Sequence, residues 1–212
     1  MYTLFGSKGS GSAAAEAALT LAAVEFKQRV DAASWDPGPG RDELARVNPL
    51  CQIPTLLLPD GSVLTESAAI LIHLGLAHPA SGLLPANAAA RAQAIRGLVY
   101  VAANCYAAIG IIDYPERFCA DADDKTNKRI KAGSTQRLHH LWEVFADTFP
   151  ARPFLGGQHI GALDLLAAVV SKWSGSRKHL AAARPQFSAL LARIESEPRV
   201  APIFARHWPP AA

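Results

Sequence analysis

The stretch Asn48-Pro49-Leu50-Cys51-Gln52-Ile53-Pro54-Thr55-Leu56-Leu57-Leu58 runs through Pro59-Asp60-Gly61-Ser62 into Val63-Leu64-Thr65-Glu66-Ser67. Two apolar runs around Asp60-Gly61 predict an antiparallel hairpin, because Asp-Gly readily adopts the positive φ that a tight turn needs. Pro54 stands between an extended residue and a strand and cannot donate to a ladder, so the edge it occupies must stay open or turn. A cis Ile53-Pro54 bond is the expected form, and it leaves the main chain of Ile53 free to pair with an extended peptide ligand. Glu66-Ser67 then opens a helix to about His78, with Ser67 available as cap and Ala68, Ile70, Leu71 and Leu74 as its packing face.

Toward the N-terminus, Tyr2 to Phe5 reads as a short strand and Gly6 to Ser12 as a loop too rich in glycine and serine for a regular element. Ala13 to Val24 is dominated by strong helix formers, with Ser12 as the expected N-cap. Phe26 to Val30 returns as a strand. Asp31 to Gly40 ends in Asp-Pro-Gly-Pro-Gly and reads as a long exposed loop, since two prolines and two glycines oppose both helix and ladder. Residues 1–79 thus read βαβ then ββα, the order of a thioredoxin-like α/β domain. A turn-rich linker, 80–86, follows. Residues 87–212 read as an all-helical bundle. Asn87 caps a helix whose apolar residues Ile95, Leu98, Val99, Ala102, Tyr106 and Ile109 recur at helical spacing, and Pro115 ends or bends it. Asp121, Asp123 and Asp124 mark the start of a second helix through Leu138, Leu141, Trp142 and Phe145. Further helices are expected over Gly161 to Trp173, Pro185 to Ile194 and near Val200.

With 212 residues, 50% apolar and 18% charged, the chain has material for a real core, and disorder is excluded. A net charge of +3 is too mild to call for a nucleic-acid partner. Cys51, Cys105 and Cys119 form no CxxC pair, so neither a disulfide framework nor a zinc knuckle is expected, and a cytoplasmic setting fits. The most membrane-like stretch, Leu98 to Ile112, is shorter than the roughly 18 to 20 residues a bilayer needs and reads as a buried helix. The run Ala13 to Ala23 contains Glu16 and is flanked only by Lys8, unlike a signal peptide. Histidines 73, 78, 139, 140, 159, 179 and 207 show no ligand spacing, and no metal is expected. Lys125, Lys128, Arg129, Lys131 and Arg137 spread around their helix as a solvated face. Gly6-x-x-Gly9-x-Gly11 with Asp31 further on invites a dinucleotide reading, but the spacing is not GxGxxG and a hairpin follows in place of further parallel βαβ units. What remains is a loop of small, hydroxyl-bearing residues at a helix entry, suited to an anion or thiolate, or else a flexible turn that Ser12 merely caps.

Asn48-Pro49-x-x-Gln52-Ile53-Pro54-Thr55-Leu56, Asp60-Gly61 and Leu64-Thr65-Glu66-Ser67-x-Ala69-Ile70 together resemble the glutathione-binding half of cytosolic glutathione transferases. Gly157 to Asp164 resembles the same family's N-capping box with its hydrophobic staple, so the resemblance spans nearly the whole chain. There Asp164 is a folding feature, and Gly161 replaces the usual Ser or Thr at a cost of only a few tenths of a kcal/mol. The resemblance implies that Glu66 and Ser67 hold the γ-glutamyl end of glutathione, that Ile53 pairs by its main chain with the cysteinyl residue beside Pro54, and that Gln52 reaches the glycyl part. Gly6 follows Phe5 where a tyrosine-type class has its tyrosine, and no cysteine precedes Cys51. Ser10 and Ser12 are therefore the candidates for activating the thiol, as in the serine-type theta and zeta classes, with main-chain N–H donors of the same glycine-rich loop as the alternative. Lowering a thiol from about 8.5 to about 6.5 takes roughly 2.7 kcal/mol. One hydrogen bond to a charged acceptor gives about 1.5 to 3 kcal/mol and a helix N-terminus about 0.3 to 1 kcal/mol, so a hydroxyl with the helix end suffices.

The electrophile is expected between the halves near Tyr106, Ile109, Asp113, Tyr114 and Phe118, residue types that more often pack a core, while Tyr100 belongs to the core. The implied protein is a homodimeric cytoplasmic glutathione transferase of detoxification type, with glutathione as co-substrate and a small hydrophobic electrophile as partner, and with no metal, nucleic acid or membrane. Two alternatives stand beside it: a non-catalytic transferase-fold module that binds other proteins, and a glutathione-dependent isomerase or peroxidase.

Overall fold

In the computed structural model, which describes residues 1–32 and 38–209, the first half is built on four short strands. They are β1 (Tyr2–Phe5), β2 (Phe26–Arg29), β3 (Thr55–Leu57) and β4 (Val63–Leu64), in the order β2-β1-β3-β4. β2 runs parallel to β1, while β3 is antiparallel to both β1 and β4, so the hairpin around Asp60-Gly61 forms as expected. The two-residue period of a strand divides the side chains between two faces. Tyr2, Leu4 and Leu56 face the main core, which holds the helices α1 (Ser12–Leu21) and α3 (Ser67–Ala77). Phe5 and Leu57 face a second, smaller core with Ala32 and Leu44.

Leu44 belongs to a helix the sequence reading missed, α2 (Pro39–Val47), where a loop through Gly40 was expected. Residues 33–37 of that expected loop lie outside the described residues. Pro39 starts the helix because its fixed φ suits a first turn and its missing N–H is one of those no helix can satisfy there. Gly40 fits because the Asp31 side chain and carbonyl leave no room for a Cβ.

The second half is helical throughout its described elements. α4 (Ala88–Tyr100), a π-helical turn (Val101–Tyr106) and α5 (Ala107–Asp113) form one run, followed by α6 (Asp124–Thr148), α7 (Ala162–Val170), α8 (Ser176–Ala183), α9 (Pro185–Glu195) and α10 (Ala201–His207). The caps of α4 and α6 fall where the sequence puts them: Asn87 accepts from the Ala90 N–H at 3.0 Å, and Asp123 from the Thr126 N–H at 2.7 Å. α8 was not foreseen. It begins after Gly175 at φ +74° and buries only Ser176 and Leu180, too sparse an apolar pattern to read from spacing.

The run from Ala88 to Asp113 also corrects an expectation. At 26 residues with a mean hydropathy of 1.6 in its most apolar window, it is long and apolar enough to cross a membrane by length and composition. Here it is a bundle helix whose Leu98, Val101, Cys105, Ala108, Ile109 and Ile112 enter the main core, with α4 and its π turn packed on α7 and α5 on α6. Tyr100 packs on Phe145 and Phe149 and donates its hydroxyl to the Leu141 carbonyl at 3.0 Å, a core residue as expected.

Two buried helices join the halves. α7 is buried along its whole length, α1 nearly so, and each packs against the other within one continuous core. Asp164 holds the entry of α7, accepting the N–H groups of Leu155 (2.8 Å), Gly156 (3.0 Å) and Gly161 (3.0 Å). The bond to Gly161 is the reciprocal half of a capping box, the half that survives when the cap residue has no side chain. Burial pushes the Asp164 carboxyl up to about 6, with the three N–H donors pulling the other way.

Candidate functional site

One wall of the site is made by a loop that its own side chains clamp. Asn48, 4% exposed, donates to the Gln52 carbonyl (3.0 Å) and to the Thr55 hydroxyl oxygen (2.9 Å), and accepts from the Leu50 N–H (3.1 Å). Thr55 in turn donates to the Gln52 carbonyl at 2.8 Å. These bonds account for Asn at the start and Thr at the end of the motif, and they leave Cys51, at φ +50°, and Gln52 on the outer side of the turn. The Ile53-Pro54 bond is cis, as expected. The main-chain N–H and C=O of Ile53 have no partner among the described residues. Beyond the hairpin, Glu66 holds φ +65°, a conformation that costs about 1–3 kcal/mol and persists only where its surroundings impose it. It delivers the chain into α3, whose first turn has no side-chain cap and carries the partial positive charge of a helix N-terminus.

The opposite wall comes from the helical half. The two walls enclose a cleft of about 900 Å³ into which Gln52, Ile53, Pro54, Glu66 and Ser67 converge from one side, and Tyr106, Ile109, Asp113 and Tyr114 from the other. Phe118 is not among them. It is 58% exposed and away from the cleft, because Pro115 opens a 3-10 turn over Pro115–Arg117 that ends the helical phase counted from Tyr106. Arg117 lines the cleft in its place and lays its guanidinium 3.8 Å from the centre of the Tyr114 ring. Arg41, Cys51 and Thr65 line it as well. Arg41 escaped the sequence reading with α2, and Cys51 lay within the quoted motif without an assigned role.

Ser10 and Ser12 stand behind this surface. Both are buried, neither lines the cleft, and their hydroxyls bond each other at 2.8 Å and the Ser7 carbonyl at 2.7 and 3.2 Å. Ser12 is the first helical residue of α1 rather than its cap, a place taken by Gly11 without a side-chain bond. It is Ser10 that satisfies an orphan donor, accepting the Ser12 N–H at 3.2 Å. Two serines two residues apart can trade these roles, which is why spacing did not separate them.

The loop is held from the rear by α10. The Gly9 N–H donates to Nδ1 of His207 at 3.2 Å, and Nε2 of the same ring meets Glu16 at 2.9 Å. Glu16 is 2% exposed and also accepts from Gln28 (2.7 Å) and Arg206. Burial raises its carboxyl, but the bonds from His207, Gln28 and Arg206 outweigh that and hold it below the usual range.

On the front, a Cβ built on Gly11 would meet the Tyr106 hydroxyl at 2.5 Å. Burial, with the charges of Asp113 and Glu66 adding to it, pushes the Tyr106 hydroxyl up to about 12. Asp113 is raised by burial, with Lys131 opposing. The Cys105 thiol, buried behind this wall, is pushed up to about 12 and is no nucleophile at neutral pH. Among the described residues no three His, Cys, Asp or Glu side chains gather as a metal site.

Residues 12–76 match the family model of the glutathione S-transferase N-terminal domain. The chain is 29% identical to the GST-like protein YncG of Escherichia coli K12, across 98% of each chain. It is 27% identical over 160 residues to glutathione S-transferase GstA of Escherichia coli O157:H7, covering 75% of each. Among solved structures, a glutathione transferase homologue from Sulfitobacter, determined with bound glutathione, superposes with a TM-score of 0.82 at 23% identity, covering 96% of each chain. BphK, a bacterial GST solved as a ternary complex, superposes at 0.76 with 26% identity, covering 95% of this chain and 96% of its own. The chain has the glutathione transferase fold: a thioredoxin-like mixed sheet with its helices, followed by a helical region.

Proposed function

We propose that the cleft binds reduced glutathione, stabilises its thiolate and directs it at a hydrophobic electrophile. The observation that carries this reading is convergence: Gln52, Ile53, Pro54, Glu66 and Ser67 meet on one wall, with the main chain of Ile53 unpaired among the described residues and the first turn of α3 without a side-chain cap. An extended peptide adds to the Ile53 edge as a strand would, its γ-glutamyl carboxylate on Ser67 and the N-terminus of α3, its amino group on Glu66 and its glycyl end at Gln52. In the reaction the sulfur's lone pair forms a new bond to carbon while the leaving group departs with the pair from the bond that breaks. The protein contributes positioning and thiolate stabilisation.

A serine-type mechanism would draw its hydroxyl from Ser10 or Ser12. Because both are engaged at Ser7, we assign thiolate stabilisation to groups that face the sulfur. The electrophile then lies along Tyr106, Ile109 and Asp113. A cytoplasmic homodimer, burying exposed apolar side chains such as Val63 and Val99, completes the proposal.

Titration calorimetry with glutathione, followed by turnover assays with a panel of soft electrophiles, tests the reading. Saturable one-to-one binding with turnover supports it. Binding without any turnover selects the interaction module, turnover only of an isomerisable substrate or a peroxide selects the other enzyme class, and absence of binding removes the assignment.

A further inference from the structure

We infer that Tyr106 is the catalytic hydrogen-bond donor to the glutathione sulfur, its hydroxyl reaching from the helical half to the entry of α1, where Ser10 and Ser12 present none. The inference deepens the glutathione reading and rests on it. Gly11 has φ −59° and ψ −17°, helical values open to any residue, so backbone freedom does not explain a glycine there. Space does: a Cβ at Gly11 would stand 2.5 Å from the Tyr106 hydroxyl and 3.5 Å from Cδ of Pro54. The hydroxyl, the first turn of α1 and the proline beside Ile53 therefore meet at one point. A cysteinyl residue paired with the Ile53 main chain carries its side chain off that same edge.

The ring is fixed for this task. It stacks on Trp173 with centres 5.7 Å apart and planes at 7°, and Trp173 meets Trp208 edge-on at 6.5 Å. The π-helical turn that ends at Tyr106 inserts a residue into the helix, which turns the side chain by about 100° relative to regular continuation from α4. The hydroxyl bonds no group among the described residues. Raised to about 12, it keeps its proton at neutral pH and serves as donor rather than base. The sulfhydryl proton leaves to solvent, and Tyr106 stabilises the charge left behind, as an oxyanion hole does for oxygen.

The test compares wild type, Tyr106→Phe and Gly11→Ala by two readouts, calorimetric affinity for glutathione and the pH midpoint of the bound thiolate's ultraviolet absorbance. Phe keeps the ring and its stack on Trp173, and it should bind glutathione with affinity within a few-fold of wild type. Its thiolate midpoint should rise by about one to two pH units, the range that loss of one hydrogen bond to a charged acceptor gives. Turnover of an activated aryl halide at neutral pH should fall about ten- to a hundred-fold. Gly11→Ala, whose methyl takes the hydroxyl's place, should raise the midpoint similarly, and adding Tyr106→Phe to it should raise it no further. Glutathione binding with an unmoved midpoint in Tyr106→Phe overturns the donor role and leaves the glutathione reading standing. Failure of the wild type to bind glutathione overturns both.

Discussion

Replacing Glu16 by Gln tests how the glycine- and serine-rich loop before α1 is held from behind. The carboxylate accepts from three donors: His207 at 2.9 Å, Gln28 at 2.7 Å and Arg206. An amide of the same shape has one accepting oxygen and one donating nitrogen, so some donor must face a donor. The least costly arrangement keeps the oxygen toward His207 and Gln28 and turns the nitrogen to Arg206, whose side chain is 59% exposed and can swing into water. Two charge-assisted bonds then become ordinary ones, a loss of about 1 kcal/mol each, and the displaced Arg206 adds up to about 1 kcal/mol. The expected destabilisation at neutral pH is about 2–3 kcal/mol, or a fall in Tm of about 4–12 °C for a chain this long.

The sign of the pH dependence follows from the lowered carboxyl. The stability Glu16 contributes is present above its ordinary pKa and is lost as the pH falls through its lower folded value. The gap between wild type and Glu16→Gln should accordingly be widest at neutral pH and close in strong acid. Urea titration at several pH values measures it. A gap below about 0.5 kcal/mol at neutral pH, or one that stays constant into acid, would refute the reasoning.

Three further outcomes are expected. Asn48→Ala strips the Gln52 carbonyl and the Thr55 hydroxyl of one donor each and frees the Leu50 N–H; it should cost about 1–3 kcal/mol in urea titration and weaken glutathione binding at least tenfold, and unchanged affinity would separate the clamp from the site. Asp164→Ala leaves three N–H groups without their acceptor at a fully buried position and should cost about 3–5 kcal/mol, a loss below about 1 kcal/mol contradicting the role given to it. Alkylation followed by mass spectrometry should label Cys51 and Cys119 but not buried Cys105, with glutathione protecting Cys51 alone, because only Cys51 lines the cleft; equal protection of Cys119 would misplace the ligand.

The hairpin, the cis proline and the opening of α3 were legible because each rests on residues with few alternatives: Asp60-Gly61 for the turn, Pro54 for the open edge, Glu66-Ser67 for the helix start. The five residues read as glutathione-binding come from that one stretch, and they share a wall. α2 was not legible, because a proline and a glycine that oppose a helix interior are tolerated in its first turn, and spacing does not say which place they hold. Phe118 was lost to a phase break at Pro115. Tyr106 was read as an electrophile contact from its spacing, yet its placement against Gly11 depends on the inserted residue of the π turn, which no periodicity argument contains. The capping role was given to Ser12 and not to Ser10 for a related reason, since which hydroxyl bonds Ser7 and which accepts an N–H is a matter of loop geometry.

A crystal structure of the chain with glutathione tests the central claim most directly. The account predicts the tripeptide extended along Ile53, bonded to its N–H and carbonyl, with its γ-glutamyl carboxylate at Ser67 and its sulfur within hydrogen-bonding distance of the Tyr106 hydroxyl. An empty cleft at saturating glutathione, or the tripeptide seated elsewhere, would contradict it.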